Sequence, residues 1–358
     1  GSILIENNKP TGLLLDNAMD LAMDILPPNT SKDITKALIE AEKKALENGL
    51  TTVDDAGLDK KTIQVIDSLQ EIGELKIRVY AMISNTNDNL KYYLTNGIIE
   101  KEKLTVRSVK AYLDGALGSR GALLKKPYSD ENKNKGLTIT TKEELFDLAN
   151  KLSSKGFQLN THAIGDKANE IVLDVYNYIL KDIEDPRWRV EHAQVVDEFD
   201  IQKFNSKIIP SVQPTHATSD MNWADERLGR KRLNRAYAYK ELLDWSGKIA
   251  LGTDFPVEKV NPLLTFHSAV ARKDVDGNPS EGFLKKNALT RKEALKGMTI
   301  WAAYSNFEDS FKGSIEIGKF ADFIILSKDI MKVPEQEITS AEVVATVVNG
   351  SIVFQKFN

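Results

Sequence analysis

The hydrophobic residues of the chain fall into short apolar runs that alternate with longer stretches of helical periodicity. Short runs rich in Val, Ile and Leu are typical of parallel strands that are covered on both faces. The stretches between them repeat apolar residues every three to four positions, as amphipathic helices do. This alternation predicts an α/β fold with a parallel sheet. Its strands are expected near residues 51, 79, 109, 159, 190, 210 and 251.

Helices are predicted by the same periodicity together with capping residues. The run from Leu13 to Leu26 predicts a short helix that stops at Pro27-Pro28. The segment from Ser31 to Asn48 predicts an amphipathic helix that ends at Gly49. The remaining helices are predicted at residues 62–72, 90–98, 142–151, 167–180, 197–205 and 290–304.

Polar segments interrupt this pattern at three places. The strand at Leu50–Val53 is predicted to end in a polar loop at Asp54-Asp55. The segments 115–138 and 216–239 are long and polar, and we expect them to be loops that cover a functional site. The glycines of GALGSRG do not match G-x-G-x-x-G and no lysine follows in P-loop register, so a nucleotide-phosphate site is not expected.

After residue 305 the chain changes to short strands and turns. Asn349-Gly350 separates two β-rich runs, which is a strong hairpin signal. We therefore divide the chain into an N-terminal segment at 1–30, a barrel at 31–305 and a small C-terminal β-sandwich portion at 306–358.

The composition excludes several classes of protein and of site. The 358 residues are 41% hydrophobic, which is enough for a barrel of about 250 residues and a small second unit. Net charge is −4, with basic and acidic residues mixed, so neither nucleic acid nor an anionic membrane is an expected partner. No apolar run approaches the roughly 20 residues of a membrane span. The chain contains no cysteine, so any metal must be held by nitrogen and oxygen atoms.

No stretch of the chain has the form of a signal peptide. We therefore expect a cytoplasmic protein, with a leader upstream of Gly1 as the alternative.

Residues of ligand type stand at the ends of four apolar runs. Lys110, His162, His192 and Asp254 are separated by 52, 30 and 62 residues, and one strand–helix unit takes about 30. Such residues at successive strand ends are typical of a parallel barrel with its chemistry on the C-terminal rim. Each residue also has a structural alternative: an ion pair of Lys110 with Asp114, a satisfied core histidine, or a turn-capping aspartate.

Several segments together resemble the amidohydrolase superfamily, and within it the N-substituted formamide deformylases and related metal-dependent hydrolases. The matching segments are VKAYLDGALGSRGALL, THAIGDKANEIVLD, RVEHAQ, SVQPTH, GTDFPV and GSIEIGKFADFIIL. The resemblance implies a TIM-type (β/α)8 barrel. The first strand of that family carries a His-x-His pair, and the histidines here are His162, His192, His216 and His267, with no two of them two residues apart. We therefore expect a barrel that lacks its first strand, in a chain that corresponds to the last two thirds of such an enzyme.

The resemblance also implies roles for individual residues. Lys110, His162, His192 and Asp254 would hold one or two divalent metal ions, with zinc as the expected metal. In related enzymes a lysine at the position of Lys110 reacts with carbon dioxide, and the carbamate bridges two metals. Asp254 would be the catalytic residue, which takes a proton from a metal-activated water and returns it to the leaving amine. His216 and Arg120 are the candidates for binding substrate.

The expected activity is hydrolysis of the C–N bond of a small-molecule amide or formamide. A deaminase of the same superfamily and a truncated, non-catalytic protein of the same fold are the alternatives, and a homo-oligomer is left open. Loss of the first strand would also leave sheet edges near residues 51 and 251 unpaired. We expect the apolar residues Val53, Ile249 and Leu251 to border the resulting gap.

Overall fold

The computed structural model of the chain describes residues 1–23 and 25–356. The strands are β1 Ser2–Glu6, β2 Lys9–Leu15, β3 Thr52–Leu58, β4 Arg78–Ser84, β5 Ile99–Glu100, β6 Leu104–Tyr112, β7 Gln158–Ala163, β8 Trp188–His192, β9 Ile208–Val212, β10 Ala250–Leu251, β11 Phe323–Leu326, β12 Val343–Val348 and β13 Ser351–Gln355. The α-helices are α1 Asp20–Met23, α2 Ser31–Glu47, α3 Lys60–Glu71, α4 Asn87–Asn96, α5 Lys142–Ser153, α6 Asp166–Ile179, α7 Pro214–Asp220, α8 Ala224–Leu233, α9 Tyr239–Ser246, α10 Pro262–Ala271, α11 Arg291–Met298 and α12 Ile300–Ser305. Short 3-10 turns lie at Asp16–Met19, Ile201–Lys203, Lys285–Asn287 and Glu335–Ser340.

A curled parallel sheet forms the centre of the molecule. Its strands pair in the order β3, β4, β6, β7, β8, β9, β10, and β5 adds antiparallel to β6. These parallel strands are the seven that the apolar runs predict. Strands β4 and β8 are buried almost throughout, because helices and the sheet interior cover both of their faces. The result is an α/β half-barrel of TIM-like form.

The sheet is open within the described residues, since β3 pairs with β4 and β10 with β9 but not with each other. The sequence predicts that apolar residues at the two end strands, β3 and β10, border a gap, and the two ends differ in this respect. Ile249 and Leu251 are buried, and the side chain of Leu251 approaches Gly297 of α11. Val53 is half-buried, and the four residues after it on β3 are exposed. The end strand β10 therefore packs against a helix, and β3 is the more exposed end of the sheet. Whether a first strand is missing stays a prediction.

The predicted polar loop at Asp54-Asp55 is wrong, because both residues continue β3. The carboxylate of Asp54 explains this. It accepts hydrogen bonds from Arg189 Nη1 of β8 and from Asn306 Nδ2 just after α12, both at 2.7 Å. Asp54 therefore stays in the strand, because its carboxylate has hydrogen-bond partners from distant parts of the chain.

The predicted helix from Leu13 to Leu26 is also wrong over its first part. Strand β2 pairs antiparallel with β1, and helical turns begin only at Asp16. Asn7 and Asn8 turn the hairpin with φ of 48° and 62°, the left-handed conformation of tight hairpin turns. Residue 24 of the predicted helix lies outside the described residues.

Four further differences concern helices. Residues 197–205 contain only the short turn Ile201–Lys203, while the predicted loop 216–239 is largely helical, in α7 and α8. Helix α10 is not predicted by the sequence, because its residues are apolar on all sides and most of them are buried. The predicted helix 290–304 is divided at Thr299 into α11 and α12.

The C-terminal strands β11, β12 and β13 form an antiparallel sheet against the end of α2. Thr346 Oγ1 donates to the carbonyl of Leu46 at 2.7 Å. The hairpin predicted at Asn349-Gly350 is confirmed, with φ of 49° and 76° at the two turn residues. The described residues form a single sheet here, and the predicted sandwich stays a prediction. None of the described helices has the length and apolar character needed to cross a membrane.

Candidate metal centre

The predicted site residues stand at or just beyond the carboxyl ends of neighbouring parallel strands. Lys110 lies two residues before the end of β6, His162 one before the end of β7, and His192 ends β8. Asp254 follows β10 by three residues. Because the carboxyl ends of parallel strands meet at one rim, the curl of the sheet directs these residues toward a common region.

The imidazole of His192 is oriented by Gln213. His192 Nδ1 lies 2.7 Å from Gln213 Oε1, and Gln213 Nε2 faces the carbonyl of Ser211 at 3.4 Å. Since an amide oxygen only accepts hydrogen bonds, Nδ1 carries the proton and Nε2 keeps its lone pair. A histidine held in this way is prepared to bind a metal through Nε2.

The other two histidines of the rim surround His192. The ring centroids of His162 and His192 are 4.5 Å apart, and the ring of His216 stacks at 5.9 Å from that of His192. His216 Nε2 also lies 3.6 Å from Asp254 Oδ2. One ligand atom each from His192, His216 and Asp254 fall within 4.8 Å of one another. These three residues are a candidate His-His-Asp metal site, and His216 is the member that the sequence assigned to substrate.

The electrostatics of the histidines suit metal binding. Burial lowers the pKa of His162 to about 3 and that of His216 to about 4, and it holds the pKa of His192 well below its usual value. All three are therefore neutral at physiological pH, which is the form that ligates metals. Among the described residues, the buried Nε2 atoms of His162 and His216 have no hydrogen-bond partner. Because buried polar atoms are rarely left without partners, these lone pairs fit an ion as their missing partner.

Lys110 is 5% exposed, and its Nζ lies 4.1 Å from the ring centroid of Tyr112. Burial lowers the pKa of the amine, while the carboxylates of Glu191 and Asp254 oppose that shift. A lowered pKa increases the neutral fraction, which is the form that reacts with carbon dioxide.

Asp254 has a carboxyl group suited to proton transfer. Burial raises its pKa to about 6, and Lys110 acts in the opposite direction. A carboxyl group with a pKa near neutrality can both accept and return a proton. The residue is also held in the left-handed region, with φ of 57°, and His192 has φ of 74°. Such a backbone costs about 1–3 kcal/mol for a residue other than glycine and is typical of functional sites.

Asp114, which the sequence offers as an ion-pair partner of Lys110, has a structural role. Its carboxylate accepts hydrogen bonds from the backbone N–H groups of Leu123, Ile164 and Gly165 at 2.8–3.0 Å. His162 Nε2 lies 3.5 Å from the same group, which is long for a hydrogen bond. Asp114 therefore fixes the segment after β6 against the segment after β7. Gly165 makes this possible, because a Cβ there would lie 2.0 Å from the carbonyl oxygen of Leu123.

Arg120, the second predicted substrate ligand, takes part in an ion-pair network. Its Nη2 lies 2.8 Å from Asp130 Oδ2, and Arg227 of α8 contacts the same carboxylate. Ser129 N donates to the carbonyl of Arg227 at 2.9 Å. We call Arg120, Asp130 and Arg227 the cover clasp, because they join segment 115–138 to segment 216–239. A role of Arg120 in substrate binding stays a prediction.

Sequence reasoning missed Gln213 and placed His216 among the substrate ligands. Both belong to the segment SVQPTH, where Gln213 follows β9 and His216 lies in the first turn of α7. The sequence contained one indication of the role of Gln213, because this residue also stands at the end of a predicted strand. Lys110 and His162 stand at the same rim, and among the imidazole and carboxylate ligands the group within 4.8 Å consists of His192, His216 and Asp254.

The chain is similar to known proteins both in sequence and in fold. The model of the family described as "Amidohydrolase family" matches residues 3–354. The Arabidopsis thaliana protein LONG AFTER FAR-RED 3 is 33% identical over 368 residues, covering 98% of this chain and 62% of that protein. An N-substituted formamide deformylase of Arthrobacter pascens is 25% identical over 367 residues, covering 98% of this chain and 66% of that enzyme.

Among solved structures, the chain is similar to a metal-dependent hydrolase of Pyrococcus horikoshii, with a TM-score of 0.80 and 30% identity. That match covers 93% of this chain and 68% of the archaeal one. The chain thus spans 62–68% of the length of these relatives.

Proposed function

The chain belongs to the amidohydrolase family, and on that premise we propose that it acts as a metal-dependent hydrolase on the C–N bond of a small-molecule amide or formamide. The observation that carries the proposal is the arrangement of His192, His216 and Asp254, whose ligand atoms fall within 4.8 Å at the rim of the sheet. The choice of a formamide or amide rests on the relative named N-substituted formamide deformylase. A cytoplasmic location and a homo-oligomer stay predictions.

His192, His216 and Asp254 would hold a divalent ion, with His162 and Lys110 as further ligands. Zinc is the metal we propose, because neutral imidazole and carboxylate ligands suit it. Such an ion, when bound, polarises a carbonyl group and lowers the pKa of water. Lys110 would contribute as a carbamate, for which the neutral amine of a buried lysine is the starting material.

The remaining chemistry falls to residues of the chain. Gln213 keeps the proton of His192 on Nδ1, away from the rim. Asp254 accepts the proton of the attacking water, and it returns that proton to the nitrogen of the leaving amine. A pKa of about 6 supports both steps near neutral pH. Tyr112, whose ring lies 5.4 Å from that of His162, is 43% exposed and forms a wall that substrate can contact.

Metal analysis together with a substrate panel tests this proposal. The chain is purified, its zinc content is measured, and N-substituted formamides, simple amides and amino-substituted heterocycles are assayed separately. We expect bound zinc and release of an amine and an acid from the first two classes. Release of ammonia from the heterocycles alone would replace the proposal with a deaminase. Metal-free protein that stays inactive after zinc is added would favour a non-catalytic role.

A further inference from the structure

A cavity of about 310 Å³ lies at the amino ends of the strands, at the opposite end of the sheet from the metal centre. Thr105 lines this cavity at the start of β6, and Lys110 of the rim stands about 16 Å further along the same strand. The lining combines three phenylalanines with three glutamates and one lysine. A cavity of this volume falls within the range of small-molecule sites, which starts at about 300 Å³.

Two buried side chains of the wall are held in place by hydrogen bonds. Asn306 is 2% exposed, and it donates to Asp54 at 2.7 Å and accepts from Arg189 at 2.8 Å. Glu308 is 5% exposed, and its Oε1 accepts from Thr105 Oγ1 at 2.8 Å. A wall that is already ordered adds little to the entropic cost of binding a ligand.

Phenylalanine rings form the apolar part of the cavity. Arg107 stacks over the ring of Phe307, with its Cζ 3.6 Å from the centroid. Arg78 stacks in the same way over Phe320, at 3.9 Å. Phe311 meets Phe320 edge to face, with centroids 5.6 Å apart, and it is the lining ring over which no described cation lies. Because the faces of aromatic rings attract cations, Phe311 offers a surface for the apolar body and the charge of an organic cation.

Two of the three lining carboxylates are already neutralised. Arg107 Nη1 lies 2.7 Å from Glu100 Oε1. Lys312 forms an ion pair with Glu308. The third carboxylate belongs to Glu102, which forms no ion pair within the described part of the chain. One negative charge of the lining is therefore left without a cation.

The lining lysine does not supply that cation. Lys101 Nζ lies 2.7 Å from Asp67 and 2.8 Å from Glu71, two residues of α3 that do not line the cavity. The carboxylate of Glu102 instead accepts a hydrogen bond from the neutral amide of Asn349 at 3.1 Å.

The spacing of the carboxylates argues against a metal ion as the ligand. Among the described residues, no three ligand atoms from the carboxylates of this cavity fall within 4.8 Å of one another. A single ion could not contact all of them. Aromatic rings and one unpaired carboxylate suit a larger cation that also has an apolar body.

We propose that this cavity binds a primary ammonium ion with a compact aromatic or branched apolar body. The apolar body packs against Phe311 and Phe320, and the ammonium group lies beside the carboxylate of Glu102. The site is separate from the metal centre and does not rest on the proposed hydrolase activity.

Crystals soaked in 4-bromobenzylamine test the location, because anomalous scattering identifies the bromine of this probe. The unmodified chain should show a bromine peak in contact with the rings of Phe311 and Phe320. A peak found only at the rim, beside His192, would assign the amine to the metal centre and overturn the proposal. A cavity without a bromine peak would overturn it as well.

Calorimetric titration tests the preference for a cation in solution. Benzylamine is compared with benzyl alcohol, which has nearly the same apolar body without the charge. We expect a dissociation constant for benzylamine at or below about 1 mM, as is usual for a ligand of this size. The alcohol should bind at least about fivefold more weakly, since it lacks the contribution of the charge. Equal affinities, or a bromine peak in crystals without saturable binding in solution, would contradict the proposal.

Three variants connect this binding to the cavity. Glu102→Gln should weaken benzylamine binding about two- to fivefold and leave benzyl alcohol unaffected, because an exposed ion pair contributes modestly. Phe311→Ala should weaken the binding of both ligands. Glu143→Gln, at an exposed carboxylate of α5, is the matched control and should keep the affinity of the unmodified chain. Glu102 is also exposed, so its substitution should not disturb folding, and an unchanged benzylamine affinity in that variant would overturn the proposal.

Discussion

Two groups of charged residues occupy the interior of the curled sheet, and they differ in how their charges are satisfied. In the first, which we call the paired layer, Arg189 contacts Asp54, Glu191 and Asn306 at 2.7–2.8 Å. In the second, the metal centre, Nε2 of His162 and Nε2 of His216 lie 3.5 and 3.6 Å from carboxylate oxygens, which is long for a hydrogen bond, and burial lowers the pKa of both histidines. The two groups touch, since Lys110 stands beside Asn160 in the strand register and Asn160 beside Arg189.

This difference separates charged groups that stabilise the fold from polar groups that remain available to a ligand. Arg189 is 1% exposed yet fully engaged, so the paired layer holds opposite sides of the open sheet together. The histidines of the metal centre are also largely buried. Their Nε2 atoms, however, lie close to other ligand atoms and not to hydrogen-bond donors. Buried polar groups that lack partners destabilise a fold, and they persist where function requires them.

The largest expected effect is on activity. Asp254→Asn removes the proton acceptor while preserving the shape of the side chain and its tolerance of a left-handed backbone. We expect kcat/KM for a formamide substrate to fall about 10²–10⁴-fold, the range for loss of a general acid–base group. The melting temperature of the metal-free chain should not fall, because a neutral amide does not carry the desolvation cost that raises the pKa of Asp254. Asp147→Asn, an exposed position on α5, is the control, and full turnover by the Asp254 variant would exclude its catalytic role.

A pair of substitutions compares the two groups directly. Arg189→Met leaves Asp54 and Glu191 without their common partner and should cost about 3–5 kcal/mol in the free energy of unfolding. Lys110→Met, at the neighbouring buried cation, should leave the stability of the metal-free chain unchanged or raise it, because desolvation of that amine is relieved. Urea denaturation measures both. Equal losses in the two variants would remove the distinction between the paired layer and the metal centre.

The stability of the metal-free chain should depend on pH through its histidines. His162 and His216 have folded pKa values of about 3 and 4, and an unfolded histidine has about 6.5. Between these values the unfolded chain binds protons that the folded chain does not, so stability falls as pH drops from about 6.5 to 4.

Asp254 opposes this trend. Its folded pKa of about 6 lies above its unfolded value of 3.8, so the folded chain gains a proton over the same interval. Burial also raises the pKa values of Asp55, Asp166 and Asp220, which act in the same direction as Asp254. The lowered pKa values of Asp130, Asp185 and Asp200 reinforce the histidines. We expect the histidines to prevail, so that stability rises with pH. Urea midpoints at several pH values, with EDTA present, measure the slope. A flat profile would show that these histidines are not buried in the neutral form.

The smallest effect is expected at the cover clasp. Arg120→Gln removes a partly exposed ion pair and should change stability by less than about 1 kcal/mol. Arg227→Gln is its natural comparison, since both arginines contact Asp130. If only the first substitution raises KM for the substrate about tenfold, Arg120 binds substrate as the sequence suggests; equal KM values would leave it a clasp residue.

Much of the sheet could be predicted from the sequence because its strands are buried on both faces. Such strands tend to be rich in apolar residues, and β6, β7, β8 and β9 contain the predicted positions near residues 109, 159, 190 and 210. Strand β3 shows the limit of this reasoning. Its centre contains Asp54 and Asp55, and the partner that keeps Asp54 in the strand is Arg189, more than a hundred residues later.

The site shows the same limit. The strand-end positions of Lys110, His162, His192 and Asp254 follow from periodicity, so the sequence indicates them. The orientation of His216 depends on the packing of α7 against α10, where Thr218 and Ser268 hydroxyls meet at 3.0 Å. Because α10 has no amphipathic pattern, neither the helix nor its effect on His216 could be inferred from the sequence.

The left-handed backbone of His192 and Asp254 has a thermodynamic consequence for ion capture. Each residue has already lost its conformational freedom during folding, so the ion has little entropy of the protein left to remove. The affinity for an ion should then depend on how well its preferred coordination geometry matches the fixed positions of the ligand atoms. A rigid set of two imidazoles and one carboxylate favours ions with few ligands in tetrahedral geometry over those that demand six oxygens. The strained backbone of His192 and Asp254 would thereby contribute to the selectivity of the site between metal ions.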